Sequence, residues 1–293
     1  MKIEGVVVLY NPSENVKTNI NTYLKNLDKL YVVDNSPIPN NNEKNFTNPK
    51  IEYISNNGNK GIANALNVAC KRATKDEADW MLTMDQDSSF KDNGLEKMII
   101  FLNELKNNKI FSEVIGTEYD ELAILSALQR TGMNFDDDLV GIDFPLVVMT
   151  SGNLINMKTY NKLGGFKDWF FIDAVDFEYC LNAKKHKYKV IQMNTVELNH
   201  NLGKIEKKKI LNKKTYITNH NAVRRYYITR NRHYLYDMYH KYFPEYCKLE
   251  VGMTKKELIK IILFENDKIN KIKNILKGYI DYKRGKKGAI NEK

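Results

Sequence analysis

The stretch Trp80–Asp87, WMLTMDQD, decides the predicted fold and its candidate site. It is a short apolar run, typical of a buried strand, that ends in the polar turn Asp85-Gln86-Asp87. Residues i and i+2 of an extended chain point the same way, so both carboxylates can converge on one point. Converging carboxylates repel each other unless a cation lies between them, and hard divalent cations prefer such oxygen ligands. The alternative is an ordinary pair of solvated loop aspartates.

Three similar apolar runs precede this one, and segments with helical spacing separate them. The strands are predicted at Ile3–Tyr10, Leu30–Val33 and Ile51–Ile54, and the helices at Val16–Leu27 and Ile62–Ala73. This alternation predicts an α/β fold with a mostly parallel sheet flanked by helices. Ligands of such sheets bind beyond the carboxyl ends of the strands. The polar clusters lie at those ends, namely Asn11, Asp34-Asn35, Asn56–Gly61 and Asp85–Asp87.

Length and composition exclude several classes of protein. The chain has 293 residues, of which 42% are hydrophobic and 28% charged, which is ordinary for a globular protein. No apolar run approaches the ~18 residues that a membrane-spanning helix needs. The three cysteines are widely spaced, so neither a disulfide framework nor a zinc site is expected. The first residues lack the pattern of a secretory signal, and the expected location is the cytoplasm.

Charge is distributed unevenly along the chain. Residues 1–203 carry 22 basic and 27 acidic side chains, whereas residues 204–293 carry 24 basic and 9 acidic ones, a net charge of +15. Basic segments of this kind bind phosphates of nucleotides, nucleic acids or anionic lipids. Lys255–Ile280 is predicted as an amphipathic helix. It could lie on the inner face of the plasma membrane, pack on the preceding domain, or form a homodimer contact.

The middle of the chain offers further candidates, each with a structural alternative. Leu122–Gln129 and Phe144–Met149 are predicted as strands, and Val175–Lys185 as a helix. Asp173 and Asp176 form a capping pattern at the start of that helix, but a carboxylate beside aromatic rings can also be a general base.

Candidate anion and metal partners come later in the sequence. His200 could be structural or could bind a metal or phosphate. Arg225 and Arg230, among tyrosines, could bind phosphate or lie on a solvated helix face. A nucleic-acid-binding interpretation of this aromatic, basic segment lacks a supporting motif.

Eight segments, taken in order, resemble the family-two nucleotide-sugar glycosyltransferases of the GT-A type, and in particular their bacterial rhamnosyltransferase branch. The resemblance covers roughly residues 3–235 and continues weakly over 277–288. The matching segments are VVVLYNP (6–12), VVDNSP (32–37), NKGIANALN (59–67), LTMDQDS (82–88), TSGNLI (150–155), GGFKDWFFIDAVDFEYCLNA (164–183), LNHNLG (198–203) and RRYYITRN (224–231).

This resemblance implies a role for each matching residue. Asp176 would be the catalytic base, although Val175 stands before it where many relatives have Glu. Asp85 and Asp87, with His200, would hold Mg²⁺ or Mn²⁺. The donor nucleotide would contact Asn11, Asp34, Asn59, Gly61, Asn67, Asp85, Arg225 and Arg230. The acceptor side would include Ser151, Gly152, Trp169, Phe170 and Asp173.

The resemblance also implies an architecture and a reaction. A GT-A catalytic domain is expected over residues 1–215, with a nucleotide-binding part at 1–90 and an acceptor part at 91–215, followed by a basic helical region over 216–293. The implied enzyme transfers L-rhamnose from dTDP-L-rhamnose, with inversion, to a saccharide acceptor, lipid-linked in the favoured case, in cell-surface polysaccharide synthesis. Two alternatives stay open: another donor, such as UDP-galactofuranose or a UDP-hexose, and a non-catalytic module that binds nucleic acid or another polyanion.

Overall fold

A computed structural model gives the structure of the chain. It describes residues 1–37, 42–130, 141–200, 206–210 and 213–290, without the side chains of 42, 130, 200, 206–210 and 213–216. The described strands, in chain order, are β1 (Ile3–Leu9), β2 (Lys29–Asp34), β3 (Ile51–Ser55), β4 (Trp80–Asp85), β5 (Ser88–Phe90), β6 (Leu122–Arg130), β7 (Ile142–Asp143), β8 (Asn153–Asn156), β9 (Lys189–His200), β10 (Glu206–Ile210) and β11 (Lys213–Ile217).

The described α-helices connect these strands and continue beyond them. They are α1 (Val16–Asn21), α2 (Ile62–Lys75), α3 (Gly94–Asn107), α4 (Lys109–Ile115), α5 (Met157–Leu163), α6 (Val175–Lys185), α7 (Ala222–Tyr239), α8 (Pro244–Phe264) and α9 (Lys268–Lys283).

Nine of the described strands form one sheet, in the order β3-β2-β1-β4-β8-β6-β9-β5, with β7 beside β9. The first four strands pair in parallel, and β8 is antiparallel to both β4 and β6. Because β9 is parallel to β6, six strands run in one direction, and β5, β7 and β8 run in the other. The predicted mixed α/β fold with a mostly parallel sheet is therefore confirmed.

Local sequence explains the elements that carry the candidate site. β1 and β4 are buried along almost their whole length, as expected for central parallel strands covered on both faces. Gly61, with a φ of 87°, begins α2, which buries Ala63, Leu66 and Ala73 along one face. Helix α6 has Asp176 and Glu178 in its first turn and two lysines in its last, in the order that the helix dipole favours.

The chain divides into two compact units. The first comprises Met1–Asp168 and Asp176–Asn201 and holds the nine-stranded sheet; the second comprises Trp169–Val175 and Leu202–Lys293 and holds α7, α8 and α9. In the second unit, α7 packs against both α8 and α9. The domain boundary predicted at residue 215 stays a prediction. Among the described helices, none has the length and hydropathy required to cross a bilayer.

Three predicted elements differ from the structure. The helix predicted over Val16–Leu27 is shorter, because α1 ends at Asn21 and Leu24–Asn26 form a separate 3₁₀ turn. Phe144–Met149 is not a strand, since Pro145 lacks an N–H donor for a ladder and disfavours the regular pairing that the apolar run suggested. The amphipathic stretch Lys255–Ile280 is not one helix: α8 ends at Phe264, and Asp267, with a φ of 52°, turns the chain into α9. The hydrophobic periodicity of the sequence does not reveal this turn.

Two helical glycines of the second unit give a matched test of this packing. A Cβ at Gly278 in α9 would lie 2.6 Å from the Tyr226 carbonyl oxygen of α7, whereas a Cβ at Gly252 in α8 would meet nothing within 4 Å. We expect Gly278→Ala to lower the free energy of unfolding by about 1–3 kcal/mol, because backbone must move. Gly252→Ala should raise it by up to about 1 kcal/mol through helix propensity. Urea denaturation followed by circular dichroism measures both, and equal effects would contradict the close helix contact.

Candidate active site

The carboxyl ends of three parallel strands bring the first group of predicted residues together. In the sheet register, Leu9 lies beside Asp34, and Val8 lies beside Asp85. Gln86 closes the gap between two of these ends: its side-chain carbonyl accepts from the Tyr10 N–H at 2.8 Å, and its amide donates to the Tyr10 carbonyl at 3.1 Å. The turn that carries Asp85 and Asp87 is therefore fixed to the end of β1.

Asp34 is held at the end of β2 by two donors. Tyr53 donates its hydroxyl to Asp34 Oδ2 at 2.5 Å, and the Ser36 N–H donates to Oδ1 at 2.9 Å. Burial and the neighbouring carboxylate raise the pKa of Tyr53, so its hydroxyl stays a donor. Ser36 also accepts from the Asn11 N–H at 2.9 Å. Asn11 and Asp34 thus belong to one hydrogen-bonded group, with Asp34 oriented by its neighbours.

An asparagine network joins the loops after β2 and β3. The Asn35 amide donates to Asn59 Oδ1 at 3.1 Å, and Asn35 Oδ1 accepts from Asn56 and from the Lys60 N–H. Asn59 Oδ1 also accepts from the Gly61 N–H at 3.0 Å. The predicted nucleotide-site residues Asn59 and Gly61 therefore lie in one ordered loop that leads into α2.

Thr150 and Ser151 connect the aspartate of β4 with the aspartate of α6. Thr150 donates to Asp176 Oδ2 from its backbone N–H at 3.0 Å and from its hydroxyl at 3.2 Å. The Ser151 hydroxyl accepts from the Asp85 N–H at 3.0 Å. Consecutive Cα atoms are about 3.8 Å apart. Asp85 and Asp176 therefore lie in one small region of the first unit.

The segment that makes this connection is itself rigidly held. The Thr83 hydroxyl donates to the Thr150 carbonyl at 2.6 Å, and Gln129 donates to the Ser151 carbonyl at 2.6 Å. Gly152 has a φ of 78°, and a Cβ there would lie 3.1 Å from the Leu198 side chain. Gly152 is thus required for its conformation and close approach, while Ser151 is almost fully buried at 1% exposure.

Asp176 has the electrostatic character of a candidate base. It is half-buried, and burial raises the pKa of its carboxyl above the ordinary value of 3.8, although donors from Phe177 and Thr150 oppose this shift. A raised pKa makes a carboxylate a stronger proton acceptor. One oxygen accepts from Thr150 and the other from the Phe177 N–H, so the orientation of the carboxylate is fixed.

The sheet register also places the predicted metal residues near one another. Ser88, the residue after Asp87, lies beside His200 in the β5–β9 ladder, so the His200 backbone adjoins the Asp85–Asp87 turn. Two carboxylates and an imidazole form a donor set that suits Mn²⁺ or Mg²⁺. Among the described side chains, which do not include that of His200, no cluster of three metal-ligating groups is found.

Asn67 has a structural role in this fold. Its amide oxygen accepts from the Tyr160 hydroxyl and the Phe166 N–H, and its nitrogen donates to the Phe166 carbonyl and to Asp168 Oδ1. All four hydrogen-bonding positions of the amide are filled by protein groups. Asn67 therefore holds the segment that precedes Trp169, and its predicted nucleotide contact stays a prediction.

Three predicted acceptor-side residues lie in the second unit. Trp169 stacks on Phe170 at 4.2 Å between ring centroids, and Phe170 is fully buried. Asp173, with a φ of 61°, accepts three hydrogen bonds from the Arg224 guanidinium at 3.0, 3.1 and 3.3 Å. Burial raises the pKa of Asp173 despite this ion pair. Phe170 and Asp173 are thus engaged in the packing of their own unit, whereas Trp169 is partly exposed.

Arg225 and Arg230 differ most from their predicted role as phosphate ligands. Arg225 is 3% exposed and pairs with Glu265 at 2.7 Å. Arg230 is fully buried and donates to the carbonyls of Trp169, Phe170 and Gly288. Because both guanidinium groups are buried and bound to acceptors of the second unit, the arrangement does not favour the predicted diphosphate contact.

Sequence reasoning missed three residues that shape the site, namely Tyr53, Gln86 and Thr150. Gln86 lies in the turn that follows β4, not in extended chain, and from there its side chain reaches the backbone of Tyr10. Thr150 stands directly before Ser151 in the TSGNLI segment. Nothing in the sequence pairs it with Asp176, because that contact is formed only by the tertiary fold.

The family model of glycosyl transferase family 2 matches residues 6–159, more than half of the chain. The chain therefore belongs to this family, and it is a glycosyltransferase. Along 98% of its length it is 25% identical to the dTDP-rhamnosyl transferase RfbF of Shigella flexneri, of which it covers 97%.

Solved structures share the fold at low sequence identity. S. aureus TarS 1-349 in complex with UDP-GlcNAc has a TM-score of 0.55 at 11% identity, over 98% of this chain and 93% of that chain. GalNAc-T7 with UDP, GalNAc and Mn²⁺ has a TM-score of 0.53 at 11% identity, over 68% of this chain and 44% of that one. The chain spans only 37% of the TarS chain in another structure, with a TM-score of 0.52. These similarities confirm the GT-A fold.

The link between Thr150 and Asp176 can be tested by titration. The hydroxyl of Thr150 stabilises the ionised carboxylate, so Thr150→Val should raise the pKa of Asp176 further. Carbon NMR of labelled aspartate carboxyls measures this pKa, with Asp176 assigned from the signal lost in Asp176→Asn. Thr150→Ser keeps a hydroxyl and should leave the pKa close to that of the wild type. A downward shift in Thr150→Val would contradict the hydrogen bond.

Proposed function

We propose that this enzyme transfers L-rhamnose from dTDP-L-rhamnose to a hydroxyl of a saccharide acceptor. The main support is the similarity to a dTDP-rhamnosyl transferase along 98% of the chain, because shared length covers both compact units. The family membership favours this enzyme over a non-catalytic module that binds nucleic acid. A lipid-linked acceptor, a role in cell-surface polysaccharide synthesis, a cytoplasmic location and a homodimer stay predictions from the sequence.

We assign proton removal from the acceptor hydroxyl to Asp176. Its carboxylate is oriented by Thr150 and Phe177, and its raised pKa suits a proton acceptor. The acceptor oxygen, once deprotonated, would attack the anomeric carbon from the face opposite the departing nucleoside diphosphate. Such a single displacement inverts the configuration at that carbon. General-base assistance of this kind contributes about 10²–10⁴-fold to rate.

The donor side of the site would be formed by the strand-end loops of the first unit. Asp34, fixed by Tyr53 and Ser36, would accept from the nucleobase, and the loop at Asn59–Gly61 would approach the nucleotide. Asp85 and Asp87, with His200, would hold Mg²⁺ or Mn²⁺. When bound, such an ion stabilises the negative charge that develops on the leaving diphosphate. GalNAc-T7, a neighbour in fold, has been solved with Mn²⁺.

A panel of nucleotide sugars tests the proposed donor. Purified enzyme is incubated with dTDP-L-rhamnose, UDP-galactofuranose and UDP-hexoses, and released nucleoside diphosphate is measured with and without saccharide acceptors. We expect the fastest release with dTDP-L-rhamnose, and at least about a 10²-fold loss in Asp176→Asn with dTDP binding preserved. Faster release of nucleoside diphosphate from a UDP-sugar would contradict dTDP-L-rhamnose as the donor. Near-wild-type turnover of Asp176→Asn would contradict the assignment of Asp176 as the base.

Metal binding by Asp87 is tested with Asp87→Asn, and the control Asp92→Asn removes the same charge at another position. Asp87→Asn should weaken the stabilisation of the enzyme by dTDP plus Mn²⁺ in thermal unfolding, since an oxygen ligand with full charge is lost. Asp92→Asn, at another exposed position five residues along, should leave it unchanged. Equal behaviour of both variants, or full activity of the wild type in excess chelator, would argue against a metal held by Asp87.

A further inference from the structure

Helices α8 and α9 of the second unit each bury one face and expose another. The buried side includes Cys247 and Ile261 of α8 and Ile275 and Gly278 of α9. Half of the large apolar side chains exposed in the described chain lie on these two helices, which are only 21 and 16 residues long. These exposed residues are Leu249, Met253, Ile259, Ile262, Leu263, Ile269, Leu276, Tyr279 and Ile280.

Most acidic side chains of α8, α9 and the residues that flank them are paired within the unit, whereas Glu245 and Asp267 are exposed. Four acidic residues are directed into ion pairs within the unit: Glu250 and Glu257 pair with Arg232, Glu265 with Arg225 and Lys271, and Asp281 with Lys286. Most of the cations, in contrast, are exposed, although Lys271 is buried and Lys287 lies over the Trp169 ring at 4.6 Å. The exposed ones are Lys248, Lys255, Lys256, Lys268, Lys273, Lys277, Lys283, Arg284, Lys286 and Lys287.

A groove on α9 concentrates this combination. Its volume is about 540 Å³, and it is open to solvent. Its lining is Lys273, Leu276, Lys277, Ile280, Arg284 and Lys286, together with Asp281. Asp281 is 4% exposed and already bound to Lys286 and the Tyr226 hydroxyl. The groove therefore combines cations, which can bind an anion, with apolar side chains, which can contact a hydrocarbon group attached to that anion.

We propose that the exposed faces of α8 and α9 form a docking surface for an anionic phospholipid bilayer, with the α9 groove taking the phosphate of one head group. Amphipathic helices with lysines beside apolar side chains lie in the interface of such membranes. Cations near the anionic leaflet strengthen the binding, and the long lysine chains allow their charges to stay in water. This inference goes beyond the proposed function, because it holds for any donor sugar.

Vesicle binding tests the docking surface on the full-length enzyme. The wild type is sedimented with vesicles of phosphatidylcholine alone or mixed with phosphatidylglycerol, over a range of salt concentrations. We expect binding only to the anionic vesicles, weakening as salt rises. Equal binding to both vesicle types, or none to either, would overturn the proposal.

The groove is tested by a triple variant with a matched control. Lys273→Gln, Lys277→Gln and Arg284→Gln together should weaken binding about 100-fold, since each cation at the surface contributes about fivefold. The control replaces Lys71, Lys75 and Lys97 with Gln, which removes the same charge from exposed positions of α2 and α3. If both triple variants lost vesicle binding equally, the binding would depend only on the net charge of the protein, and the assigned surface would be wrong.

Two further measurements separate the other possible occupants. Leu276→Ser with Ile280→Ser should weaken vesicle binding at high salt, where apolar contact dominates, and leaves every charge in place. If inorganic phosphate at constant ionic strength displaces the enzyme from vesicles, the groove is a free-phosphate site and the lipid assignment is wrong. A wild-type dimer in sedimentation that the Leu276/Ile280 variant abolishes would assign the face to a second copy. Hydrogen exchange of α9 peptides in the wild type, compared with and without anionic vesicles, tests the same contact without any variant. We expect α9 to exchange more slowly when vesicles are present.

Discussion

Three hydrogen bonds made by Thr150 and Ser151 hold the candidate active site together. They connect the backbone of Asp85, at the end of β4, with the carboxylate of Asp176, at the start of α6. Asp85 and Asp176 are remote in sequence, and none of the three hydrogen bonds belongs to the backbone ladder of the sheet. Two groups can act on one reaction only if their separation is fixed, and this short segment fixes the separation of the Asp85–Asp87 turn from Asp176. Thr83 and Gln129 hold the segment in turn through its carbonyl groups.

Much of the fold could be predicted because its first part follows local rules. The strands β1 to β4 are short, continuous apolar runs ended by polar turns, and the helix over Val175–Lys185 begins and ends as its charge pattern indicates. The strand predicted at Phe144–Met149 was wrong because Pro145 lacks the backbone N–H that a strand ladder requires. Similarly, the turn at Glu265–Asp267 depends on a buried ion pair between Glu265 and Arg225, which hydrophobic periodicity does not report.

The candidate site was predictable in its residue types but not in its hydrogen bonds. Asn11, Asp34 and Asp85 lie where parallel strands end, and that rule is general. The arginines were harder, because an Arg beside tyrosines looks the same in sequence whether it binds phosphate or its own chain. Arg225 and Arg230 lie in the interior of the second unit, with acidic residues and carbonyl groups as partners. Only the tertiary fold distinguishes these two outcomes.

Gln86 shows that the middle position of the Asp85–Asp87 turn is not a neutral spacer. Its amide imitates a backbone peptide, giving one donor and one acceptor to Tyr10 as a neighbouring strand would. Few other side chains can do both at that length; glutamate would keep the acceptor but lose the donor and crowd a third negative charge between two aspartates. A motif that accepts any amino acid between Asp85 and Asp87 therefore ignores the side chain that connects this turn with the end of β1.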